Sequence, residues 1–126
     1  MPQFSKHYTR EEARKLLPQI AEWLAELRRA RDLLNHFDDR LGRALNRGED
    51  LGGEMVNSHV KTLVRIRETL DRFRHREIQI KDLDRGLIDF PAYVGGKEVF
   101  LCWESGEEDI EFWHDLNSGY AGRERL

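Results

Sequence analysis

One cysteine, three prolines and no long apolar run set the outer limits of what this chain of 126 residues can be. A lone cysteine, Cys102, excludes an intramolecular disulfide framework and leaves a reduced thiol in a cytosolic setting. No stretch approaches the roughly 20 apolar residues of a membrane span. The start of the chain lacks a signal-peptide core, so a cytoplasmic protein is expected. Charge of one sign is lacking too: 21 Lys and Arg stand against 24 Asp and Glu, a net of −3. The length suits one domain, residues 1–126, with no room for two independent cores.

The small net charge conceals two unlike halves. Residues 1–76 hold 16 basic and 12 acidic side chains, and residues 77–126 hold 5 and 12. An acidic half docking on basic helices accounts for this. Glu68 and Asp71 interrupt the basic stretch Lys61 to Arg76, which argues against nucleic acid as a partner.

Thr9 with Glu12 forms a capping box and starts a helix. Pro18 cannot donate to the carbonyl four residues back, so the helix is expected to break or kink there. Leu17, Ile20, Leu24, Leu27, Leu34 and Leu41 recur at spacings of three, four or seven, a single helical stripe with Arg31 and Asp38 as polar members. Gly48, Gly52 and Gly53, with Glu49 and Asp50 between, interrupt the pattern. Val56, Leu63, Ile66, Leu70 and Phe73 then rebuild it to about Arg76. Two helices over 9–47 and 54–76 should fold back as an antiparallel hairpin. A hairpin alone buries too little apolar surface, so the C-terminal half or a second copy in a coiled-coil or four-helix arrangement must cover it, and a homodimer is the expected assembly.

From residue 77 the period shortens to two. Ile78 and Ile80 alternate with polar residues, and Val99, Leu101 and Trp103 alternate with Phe100 and Cys102. Gly95-Gly96 marks a tight hairpin turn between Leu87–Val94 and Lys97–Glu104. Asp109 to Asp115 is read as a further strand. The fold class is therefore α+β, a long helical hairpin packed with a small C-terminal antiparallel β-meander over 77–126.

Candidate site residues gather in that last third: Asp89, Cys102, Trp103, Glu107, Trp113, His114, Asp115 and Arg123. If the turn after the Cys102 strand spans Ser105 to Glu108, Val99 faces His114 and Cys102 faces Glu111. Cys102 and His114 then fall on opposite faces, and a slip of one residue would bring them together. The acidic surroundings should raise the thiol pKa, so Cys102 is read as a small buried hydrophobe and not as a nucleophile. His114 with Glu107 and Asp89 is the candidate set for a divalent metal. Arg123, in Gly119-Tyr120-Ala121-Gly122-Arg123, is expected in a turn, pairing with an acidic neighbour such as Asp89.

The ordered blocks Gly86-Leu87-Ile88-Asp89-Phe90-Pro91, Leu101-Cys102-Trp103, Gly106-Glu107, Trp113-His114-Asp115 and Gly119-Tyr120-Ala121-Gly122-Arg123 run through the C-terminal third. With Phe4, Thr9, Glu12-Ala13 and Leu16-Leu17-Pro18 they resemble the prokaryotic domain-of-unknown-function family 2203. That resemblance implies no activity, cofactor or site residue. On the residues alone, the expected role is a non-enzymatic binding or assembly module that dimerises through its helices, presenting its acidic, aromatic C-terminal face to a protein or small ligand. The alternative is a small metal-dependent enzyme centred on His114.

Overall fold

The computed structural model describes residues 1–48 and 52–126. Helix α1 covers Arg10–Asn46 and α2 covers Gly53–His75. Five strands follow, β1 (Gln79–Asp82), β2 (Leu87–Val94), β3 (Lys97–Glu104), β4 (Phe112–Asp115) and β5 (Glu124–Arg125), in one antiparallel sheet of order β1-β2-β3-β4-β5. A 3₁₀ turn, Tyr120–Gly122, precedes β5. The expected glycine loop is described at Gly48, Gly52 and Gly53, and its acidic pair Glu49 and Asp50 lies outside the described residues.

The start of α1 is a reciprocal capping box. Glu12 N–H donates to Thr9 Oγ1 at 3.1 Å, and Thr9 N–H donates to the Glu12 carboxylate at 3.0 Å. These bonds satisfy donors that the first turn leaves without helical partners. The helix does not end at Pro18 but runs through it. Pro18 and Arg14 are both on the exposed side, where a carbonyl that loses its helical bond can turn to solvent. At the other end of the hairpin, α2 closes with Glu77 in the left-handed region at φ 57°. Ile78 N–H then reaches the Phe73 carbonyl and Glu77 N–H the Arg74 carbonyl, two bonds that tie off the last turn.

Contacts of Trp23 with Phe73, Glu26 with Thr69 and Phe37 with His59 run in opposite directions along the two helices, which makes the hairpin antiparallel. The core lies between α1 and one face of the sheet. Ala13, Leu17, Ile20, Trp23, Leu24 and Leu27 meet Ile88, Phe90 and Ala92 of β2 and Val99, Leu101 and Trp103 of β3. Each such aliphatic side chain, fully buried, contributes about 1.5–3 kcal/mol from removed apolar surface. Beyond Ala30 the stripe loses its cover: Leu34 and Leu41 are only half-buried. Ion pairs then tie α1 to the acidic half, Arg31 to Asp84 and Arg10 and Arg14 to Asp109.

The stripe expected on α2 divides into two. Thr62, Thr69 and Phe73 are the buried residues of this helix, with Ile66 partly buried beside the core. Val56, Leu63 and Leu70, expected in the hairpin interior, are instead 49, 44 and 41% exposed. The threonines fit the inner face because each hydroxyl bonds back to its own helix, Thr62 to the Ser58 carbonyl and Thr69 to the Arg65 carbonyl, both at 2.9 Å.

Gly95 and Gly96, at φ 59° and 78°, turn β2 into β3 as their sequence predicts. Pro91 lies past the last residue that β1 pairs, Asp89, and its carbonyl accepts from Tyr8 N–H at 2.7 Å. The strand expected over Asp109 to Asp115 is shorter and begins at Phe112.

Candidate functional site

The sheet face turned away from the helices carries Asp89, Cys102 and His114. Alternation along β2 and β3 sends Ile88, Phe90, Leu101 and Trp103 into the core and Asp89, Phe100 and Cys102 to the other side. Asp89 and Cys102 are direct cross-strand partners. β4 pairs so that His114 lies opposite Phe100 and Phe112 opposite Cys102. That is one residue away from the register expected for a four-residue turn, and it puts Cys102 and His114 on the same face. The connection is longer than expected because Ile110 turns into the core and is fully buried before β4 begins.

His114 Nε2 lies 2.9 Å from Asp89 Oδ2, and His114 Nδ1 lies 2.7 Å from the Asp115 backbone carbonyl. The carbonyl only accepts, so Nδ1 carries a hydrogen and donates it. The Nε2 contact then holds one further proton, shared between imidazole and carboxyl. Burial holds the Asp89 carboxyl above its ordinary pKa, with the neighbouring imidazole offsetting only part of the rise. The Cys102 thiol is pushed up to about 12, first by burial and then by the negative charge of Asp89. Cys102 is thus a buried, protonated thiol and a poor nucleophile, as its acidic surroundings predict.

These three residues border a pocket of about 280 Å³, with Lys81 and Tyr120 at its sides and Asn117 and Ser118 across it. The Lys81 ammonium lies 5.3 Å above the Phe100 ring. Lys81 is not among the residues expected at the site, although the alternation of β1 puts it on the Asp89 face. Nor is the N-terminal segment expected there, yet it covers this side of the sheet: Phe4 packs on Phe100 at 5.3 Å, and the Glu98 carboxylate accepts from Gln3 N–H and Phe4 N–H.

The other expected site residues lie elsewhere. Glu107 takes the Arg123 guanidinium at 2.7 and 2.9 Å and accepts from Glu104 N–H, so it stands apart from the His114 group. Arg123 pairs with Glu107 instead of Asp89 and is stacked over Phe112 at 3.8 Å. Trp103 is in the core, its indole donating to the Glu107 carbonyl at 2.8 Å, and Trp113 packs against the same core. The Asp115 side chain is at the surface in an ion pair with Lys97.

No helix among the described residues is long and apolar enough to cross a membrane. No curated protein and no solved structure matches the chain. The sequence profile of a family of uncharacterized conserved proteins, DUF2203, matches residues 6–126, and the chain belongs to that family.

Proposed function

We propose that this protein is a cytoplasmic, non-enzymatic assembly module that pairs with a second copy of itself through α2. The observation that carries this reading is the exposed stripe of α2. Val56, Val60, Leu63, Arg67, Leu70 and Arg74 follow one another at spacings of four and three, the repeat of a coiled-coil seam. The four apolar members are 41–51% exposed, and none belongs to the core that the sheet and α1 complete.

A second copy fits this stripe for two reasons. The far half of the hairpin has little interior of its own: of the residues past Ala30 in α1, Ala44 is the buried one. Two hairpins side by side supply the four helices of a bundle with an interior of its own. The seam also carries its own charge balance, because Arg67 and Arg74 are flanked by Glu68 and Asp71. Arg74 is already paired with Asp71 of its own helix, which leaves Arg67 as the seam guanidinium for a carboxylate of the second copy.

The test compares a seam substitution, Leu63→Glu, with an off-seam control, Leu45→Glu, at a leucine 61% exposed on α1. Light scattering on the folded proteins should read one chain for Leu63→Glu and two chains for the wild type and the control. Equal masses for all three would remove the seam from the account.

A further inference from the structure

We propose that Asp89, Cys102 and His114 form a mononuclear zinc site whose fourth position opens into the pocket beside Lys81 and Tyr120. Adjacent strands β2, β3 and β4 contribute one donor each: a carboxylate oxygen, a thiol sulfur and an imidazole nitrogen, all within 4.8 Å of one another. All three side chains are buried, at 1, 0 and 3% exposure.

An independent observation points to a cation here. Asp89 Oδ1 is buried with no N–H or O–H partner, the carboxylate's other neighbour being the weakly donating Cys102 thiol, while Oδ2 is held by His114. A buried carboxylate oxygen without a partner is costly, and a metal ion is a partner that would satisfy it. The imidazole is already oriented for ligation, because Nδ1 donates to the Asp115 carbonyl and leaves Nε2 turned towards Asp89.

The charges balance. The free site holds one proton on the thiol and one on the His114–Asp89 contact. Zinc replaces both, giving a thiolate, a carboxylate and a neutral imidazole around a dipositive ion, and two protons leave to solvent. The buried face is neutral before and after. Four-coordinate zinc sets its ligands roughly 3.2–3.8 Å apart, so donor atoms that already lie within 4.8 Å of one another need to move by only about 1 Å on loading. A set of one sulfur, one nitrogen and one oxygen suits zinc better than magnesium or calcium, which take oxygen ligands. Three protein ligands leave one position, and Lys81 above Phe100 suits a small anion there, such as hydroxide or a carboxylate.

The full-length protein, purified without affinity metal and stripped by dialysis against chelator, is titrated with zinc and separately with cobalt. The expected result is one equivalent of zinc and a cobalt spectrum with a thiolate charge-transfer band and the intense visible bands of a four-coordinate ion. Cys102→Ser should abolish the charge-transfer band and weaken zinc at least tenfold, and Glu107→Gln should change neither. X-ray absorption of the zinc-loaded wild type, independent of any variant's folding, should find one sulfur at about 2.3 Å and nitrogen or oxygen ligands at about 2.0–2.2 Å. A folded wild type that takes up no zinc, a first shell without sulfur, or a cobalt band that survives in folded Cys102→Ser would overturn the site.

Discussion

Asp89 on β2 and His114 on β4 are joined at 2.9 Å across an intervening strand, β3. Strands two apart in a sheet are separated by roughly 9–10 Å, and the two side chains meet over the position where β3 presents Cys102. A larger residue at 102 would stand between them. The small thiol therefore leaves room for the buried polar pair to meet.

That pair sets the first prediction. Asp89→Ala leaves His114 Nε2 buried without a partner and should cost about 3–5 kcal/mol in urea unfolding, the usual loss when one member of a buried pair is removed. Asp89→Asn should stay within about 1 kcal/mol of wild type, because the amide can donate to Nε2 while Nδ1 still donates to the Asp115 carbonyl. Equal losses for the two variants would mean that the pair does not govern this face.

Cys102 gives a pH dependence with a definite sign. Its ordinary pKa of 9.0 is raised to about 12 in the folded chain. Between these values the unfolded chain has released the thiol proton and the folded chain has kept it, so the folded state binds more protons and stability falls as pH rises. The contribution is fully present below about pH 9 and is lost on approaching pH 12. Cys102→Ala should flatten the fall in this window by one proton's dependence, measured by chemical unfolding at several pH values. Unchanged steepness would show that the thiol is not shielded.

Much of this architecture is legible in the sequence, and the reasons differ by element. The capping box, the paired glycines at 95 and 96 and the change of period after residue 77 are local signals, and the structure follows them. The failures come where distant packing decides. Val56, Leu63 and Leu70 look like a hairpin interior by spacing alone, yet threonines whose hydroxyls bond within the helix take the inner face. The register of β4 depends on Ile110 turning into the core, which no turn rule over Ser105 to Glu108 contains. Asp89 and His114 were therefore recognisable as candidates, whereas the replacement of Glu107 by Cys102 beside them follows from a one-residue shift.

Pro18 is a test of how α1 tolerates its own sequence. Proline within a helix is disfavoured by about 3 kcal/mol relative to alanine, and Pro18 is exposed with the helix running through it. Pro18→Ala should raise the unfolding midpoint, with a gain of about 1–3 kcal/mol. A loss on this substitution would mean that the proline shapes the helix for its packing on the sheet.

At the seam, Arg67 is a charged member among apolar ones. If α2 pairs as proposed, Arg67→Leu should tighten self-association, seen as a dimer that persists to lower concentration than wild type. Weaker association would place Arg67 outside the contact.

Self-association through α2 is the central claim, and sedimentation equilibrium of the wild-type chain across a wide concentration range tests it most directly. The account predicts a limiting mass of twice the 14.9 kDa chain. A mass of one chain at every concentration would contradict it.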